Sequence, residues 1–87
     1  MANYKILLKA SAAKELEALP KPDRLRIVER IKMLAENPRP FGCEKLTGEE
    51  KYRVRQGVYR IPYEIHDLVV TVIVVKIGHR REVYRRT

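Results

Sequence analysis

The chain has 87 residues, 45% of them hydrophobic and 34% charged, a length that fits one compact domain over residues 1–87 and excludes two. Its single cysteine, Cys43, excludes an internal disulfide, and with only His66 and His79 beside it there is no Cys/His spacing for zinc, so no metal is expected. The net charge of +8 is unevenly spread: residues 51–87 carry nine basic side chains against Glu64, Asp67 and Glu82, whereas residues 10–50 carry eight of each sign.

From the N-terminus, "NYKILLK" alternates Tyr4, Ile6 and Leu8 against Lys5 and Lys9, the period of a half-buried strand. The apolar run Ile6–Leu8 is far too short for a secretory leader. Ser11 offers an N-cap for a helix over "AAKELEAL", with Ala12, Leu16 and Leu19 on one face, and "PKP" at 20–22 stops it. A second helix is predicted from Asp23 to Glu36, because Leu25, Val28, Ile31, Leu34 and Ala35 recur at helical spacing while Arg24, Arg26, Glu29 and Lys32 stay outside. Asn37 and Pro38 end it. The two helices form a hairpin whose apolar stripe rests on a sheet. "RPFGCEKLTGEE" is then a loop with Phe41 and Leu46 tucked inward.

From Lys51 the pattern is β. A two-residue turn at Gln56-Gly57 would set Arg55 opposite Val58, Arg53 opposite Arg60 and Lys51 opposite Pro62, at the beginning of the strand where a missing proline donor is tolerable. Tyr52, Val54, Tyr59, Ile61, Tyr63 and Ile65 share the face that the helices cover. Arg53, Arg55 and Arg60 therefore project together from the uncovered face. Like charges across a strand pair are destabilising by roughly 0.2–1 kcal/mol, and an anionic partner would compensate. The competing reading is a solvated strand face whose arginines lay their methylenes along apolar neighbours.

"LVVTVIVVKI" is apolar on both faces and belongs inside the sheet. A turn of two or four residues before it puts Thr71, Ile73, Val75 and Ile77 on the arginine face, an interaction patch for the C-terminal segment or a partner chain, whereas a three-residue turn reverses that assignment. Its length falls short of the roughly 20 residues that cross a bilayer as a helix, so a soluble, cytoplasmic protein without a membrane is expected. The local excess of positive charge suits a polyanion, nucleic acid first and a membrane surface second.

"YRVRQGVYRIPYEIHDLVVTVIVVKIGHRREVYR", Tyr52 to Arg85, resembles the signature half of the RelE/ParE superfamily of toxins from type II toxin-antitoxin pairs, and the RelE branch above all. The hairpin, the hydrophobic strand and "GHRREVYR" keep the family's order and spacing. Leu46, Gly48, Tyr52 and Arg53 extend the likeness toward the N-terminus, and Pro62 departs from the aliphatic residue usual there. The resemblance implies an α+β fold, a small twisted, mainly antiparallel sheet with the N-terminal helical hairpin packed on one face.

It also implies a ribosome-dependent, metal-free endoribonuclease that cleaves mRNA without a cofactor, and a cognate antitoxin that blocks it. By the same resemblance Arg60 and Arg80 grip the scissile phosphate, Arg55 biases charge near the nucleophile and Tyr84 stacks on a base or moves a proton. Arg53, Lys51, Arg81 and Arg85 hold flanking RNA, and His79 is an additional acid-base candidate. Arginines stand at Arg53 and Arg55 where some members have lysines. Since a guanidinium is not a base, the base falls to Tyr84, His79 or a ribosomal group. Two alternatives from the same fold are a ParE-like, non-enzymatic inhibitor of DNA gyrase and a binding module without toxicity.

Overall fold

The computed structural model describes residues 3–46, 48 and 50–79. Strand β1 (Lys5–Leu8) leads directly into helix α1 (Ala10–Glu17), and α2 (Lys21–Glu36) follows after a short turn. Then come β2 (Glu44–Lys45), β3 (Lys51–Gln56), β4 (Tyr59–His66), β5 (Thr71–Val74) and β6 (Gly78–His79). The strands form one sheet in the order β1-β5-β4-β3-β2, with β6 bonded to the start of β4. Among the described residues only the β1–β5 pair is parallel. The two helices cover one face, which is the α+β arrangement expected from the sequence.

The helix ends differ from expectation for local reasons. No loop separates β1 from α1, so Lys9 in extended conformation is the N-cap and Ser11 lies inside the first turn with no capping bond. The prolines that end α1 also open α2: Pro20 caps it, accepting from Arg24 N at 2.9 Å, and Pro22 falls in the first turn, where a missing N–H costs nothing. On α2 the buried set is Ile27, Ile31 and Leu34. Leu25 is 54% exposed, because at ~100° per residue it lies about 120° around the helix from Ile31.

The core joins those residues and Ala12 to Tyr52, Val54, Tyr59, Ile61, Tyr63, Ile65, Val72, Val74 and Ile77. The tyrosines are core, as their period predicts, and their hydroxyls tie the layers together. Tyr59 Oη donates to Asp23 Oδ2 at 2.8 Å, and Tyr63 Oη donates to Pro38 O at 2.6 Å. Arg39, in the loop after α2, donates to Tyr52 Oη at 3.1 Å, Glu50 Oε1 at 2.7 Å and Asp67 Oδ2 at 2.9 Å. Tyr4 Oη adds a 2.6 Å bond to Asp67 Oδ1. This network closes the end of the sheet away from the β3–β4 turn. Phe41 is fully exposed rather than tucked inward, and Leu46 is half-buried.

Three register details position the open face. The β3–β4 turn is Gly57-Val58, so that the positive φ of +61° falls on glycine instead of glutamine. Arg55 consequently lies opposite Arg60, Arg53 opposite Pro62 and Lys51 opposite Glu64. A slip of two residues leaves every side chain on its expected face. Next, Tyr63 pairs with Val74 but Arg60 pairs with Gly78, so three residues on one strand oppose two on the other. That bulge turns Ile77, 3% exposed, into the core and away from Ile73 and Val75. Val75 N donates to Pro62 O at 2.9 Å, so the proline's missing donor faces the bulged side, where the ladder is already broken.

Glu15 of α1 fastens the bulge, accepting from Ile77 N at 2.9 Å and Lys76 Nζ at 2.8 Å.

The four-residue connection Asp67–Val70 contains a single 3-10 turn, with Leu68 and Val69 exposed, so the apolar strand begins only at Thr71. Val70 has φ 48°, a conformation that costs a β-branched residue ~1–2 kcal/mol. Val70→Asn, which tolerates that region without glycine's entropy loss, is expected to raise stability by about 1 kcal/mol in urea titration. An unchanged midpoint would show that the backbone there carries no strain.

Candidate functional site

The face opposite the helices is built by the outward residues of each strand. β3 contributes Lys51, Arg53 and Arg55, and β4 contributes Arg60, Pro62, Glu64 and His66. β5 adds Ile73, and β1 adds Leu7, which pairs with it. The positive end of the face is therefore arginine-rich, and the other end mixes lysine, carboxylate and aliphatic groups. Lys9 Nζ approaches Glu64 Oε2 at 4.0 Å, and His66 Nε2 lies 3.0 Å from Glu64 Oε1.

The arginine end has a carboxylate in it. β2 pairs with β3 so that Glu44 lies opposite Arg53. Its Oε1 accepts from Arg53 Nε at 2.8 Å and lies 2.7 Å from Arg53 Nη2, and its Oε2 accepts from Arg55 Nη2 at 3.3 Å. The Arg53 hydrogen bond holds the Glu44 carboxyl below the ordinary carboxylate range against desolvation, and the charges of Arg53, Arg55 and Arg60 add to it. Arg60 lies directly across from Arg55 on the same face. The anion that offsets the like charges on this hairpin is supplied by the chain itself.

Among the residues singled out from the sequence, Arg53, Arg55 and Arg60 lie together, with Lys51 at the far end of β3 on the same face. His79 does not join them. It pairs with Tyr59 on β6, and its ring meets the Tyr59 ring edge-on at 5.3 Å, on the helix side of the sheet. The bulge before Gly78 is the cause, since it inverts the alternation along this strand. Arg80, Arg81, Tyr84 and Arg85 lie outside the described residues. Glu44 was missed by sequence reasoning, because a strand of two residues has no periodicity to detect. The signal that could have revealed it is an acid placed just upstream of an "RVR" strand whose own face has no counter-charge.

Chemically, guanidinium groups on adjoining strands form a planar-donor surface for phosphate oxygens, each fork able to donate two parallel bonds. Four paired carboxylates, Glu15, Glu44, Glu50 and Asp67, respond to acid in the same sense. Glu50 and Asp67 are held below their ordinary values by Arg39 first of all. At Glu15 burial works upward, but the bonds from Lys76 and Ile77 outweigh it. Since these folded values are depressed, the stabilisation is complete above the ordinary carboxylate range and disappears as pH falls through the folded values. The melting temperature is expected to be level above about pH 5 and to fall below it, with a smaller fall in high salt because the pairs are exposed. A melting temperature independent of pH down to about 3 would contradict these pairings.

A family model described as the ParE toxin of the type II toxin-antitoxin system, parDE, matches residues 6–84. Toxin RelG of Mycobacterium tuberculosis is 30% identical over 87 aligned residues, covering 95% of this chain and 98% of that protein. A chain of the archaeal RelE-RelB complex from Pyrococcus horikoshii superposes with a TM-score of 0.81 at 28% identity, covering 90% of this chain and 96% of the other. Isolated RelE of E. coli gives a TM-score of 0.78 at 29% identity, covering 93% and 90%.

Proposed function

The chain belongs to the RelE/ParE superfamily of toxins from type II toxin-antitoxin systems, and from that membership we propose that it is a ribosome-dependent endoribonuclease that cleaves mRNA. The single observation that carries this reading is the convergence of Arg53, Arg55 and Arg60 on the uncovered face. A gyrase inhibitor would need no such cluster. The likeness to RelE and RelG proteins, at 27–30% identity across the chain, supports the same branch.

In the proposed reaction the 2′-hydroxyl of the message attacks the adjacent phosphorus, a cyclic phosphate forms and the 5′-oxygen leaves with a proton. Negative charge builds on the non-bridging oxygens, and fixed donors aimed at that charge lower the barrier. Arg60, from the middle of the face, and Arg80 grip those oxygens. Arg55 lies directly across from Arg60 and adds positive potential beside the nucleophile. Arg53, Lys51, Arg81 and Arg85 hold the flanking phosphates. Tyr84 stacks on a base, which single-stranded RNA exposes. With the His79 ring against Tyr59 on the helix side, proton transfer is assigned to Tyr84 or to a ribosomal group. A cognate antitoxin neutralises the toxin by covering this face, in keeping with the RelE-RelB complexes among the similar structures.

The test is to add purified toxin, free of antitoxin, to ribosomes stalled on a defined message and to map new 3′ ends. Discrete cuts within the ribosome-bound codon are expected. A message left intact at stoichiometric toxin would overturn the reading.

A further inference from the structure

Glu44 occupies donors of Arg53, which the proposed reaction assigns to a flanking phosphate, and of Arg55 beside it. A carboxylate and a phosphodiester carry the same single charge and present two oxygens to a guanidinium fork in the same way. Both oxygens of Glu44 are engaged, Oε1 by the Nε and Nη2 edge of Arg53 and Oε2 by Arg55. The Arg53 edge is one of the two guanidinium edges that can make a paired contact with phosphate. Glu44 is also easily displaced. Its side chain is 42% exposed against 27% for Arg53, and β2 is a two-residue strand at the end of the strand order, bonded among the described residues to β3.

We propose that Glu44 is a built-in competitor for phosphate, occupying the Arg53 and Arg55 donors in the resting protein and yielding them to RNA. This deepens the ribonuclease reading, on which it rests for the identity of the polyanion. A dinucleotide with a single phosphodiester offers one charge for the one it displaces and gains little. A strand with several phosphates engages Lys51 and Arg60 as well, and the exchange then proceeds. Glu44 in this way sets a threshold that discriminates against ligands carrying a single phosphodiester. It also relieves the repulsion between arginines facing each other across β3 and β4 while no RNA is bound.

The experiment measures binding of a fluorescent, uncleavable 2′-O-methyl RNA decamer by anisotropy over a range of salt. It compares the intact chain with Glu44→Gln, Glu44→Asp and Glu29→Gln. The last removes the same charge from an exposed pair with Lys32 on α2. At about 50 mM salt Glu44→Gln is expected to bind ~3- to 10-fold tighter. Its log-log salt slope should steepen by about 0.7, because one more phosphate then releases its counterion. Glu44→Asp, with a retracted carboxylate, should lie between, and Glu29→Gln should stay within about twofold of the parent.

The proposal is overturned if Glu44→Gln and Glu44→Asp bind no tighter than Glu29→Gln, or if none of the proteins binds the decamer. Its fate is separable from that of the ribonuclease reading. Tighter binding by Glu44→Gln in a protein that never cuts message on ribosomes would remove the enzyme and leave the competitor. Efficient cutting with unchanged binding would do the reverse.

Discussion

Arg60→Ala is expected to slow single-turnover cleavage of ribosome-bound message by roughly 10²- to 10³-fold, the loss found when one pre-aligned donor is taken from a developing oxyanion. Arg60 sits on β4, a strand bonded on both sides, by β3 over Tyr59–Glu64 and by β5 and β6 on the other edge. Its backbone is therefore fixed, and the guanidinium is delivered from a rigid floor. Across from it lie Arg55 on one side and Gly78 on the other. Arg60→Lys keeps the charge but loses the planar fork, and a smaller loss of about tenfold is expected. Because the truncation also removes a like charge opposite Arg55, the thermal midpoint should hardly move. A rate within tenfold of the parent for Arg60→Ala would take this residue out of the phosphate grip.

The adjacent residue should respond in the opposite sense. Ile61→Ala is expected to destabilise the protein by about 3 kcal/mol, as large-to-small changes at closed core sites do. Ile61 has no exposed surface. It pairs with Val54 across the hairpin and belongs to the cluster that joins the sheet to Ile27, Ile31 and Leu34, so little can collapse into the space left behind. An 87-residue domain has roughly 4–13 kcal/mol of stability in all, and its melting temperature should drop by about 12–24 °C. At a temperature where the variant remains folded, its cleavage rate per molecule should match the parent. A loss below about 1 kcal/mol would show that this position is not closed. The two outcomes together separate the faces of a single strand, one residue apart.

Those faces were legible before any coordinates, because the alternation along β3 and β4 has a period of two and survives a register slip of two residues. The turn prediction was displaced by one position and the pairing by two, yet Tyr52, Val54, Tyr59, Ile61, Tyr63 and Ile65 still point to the core and the three arginines to the open side. The helical hairpin was legible for a similar reason, since an apolar stripe specifies that a helix must be covered. Which residues form the stripe's centre depends on how α2 lies over the sheet, and this moved Ile27 in and Leu25 out. The exposed Phe41 and the late start of β5 likewise reflect where the sheet ends, a property of the neighbours of those segments.

The chain's own amino-acid order thus determined the two-sidedness of the hairpin and its arginine face through short-range periodicity, and the class of fold through its likeness to a known family. Only tertiary structure decided that Glu44 reaches Arg53 and Arg55, that Arg39 joins Glu50 to Asp67, and that His79 turns toward Tyr59. Each of those depends on pairing between segments distant in sequence, or on one inserted residue that reverses a strand's alternation, and neither leaves a periodic trace in the residues themselves.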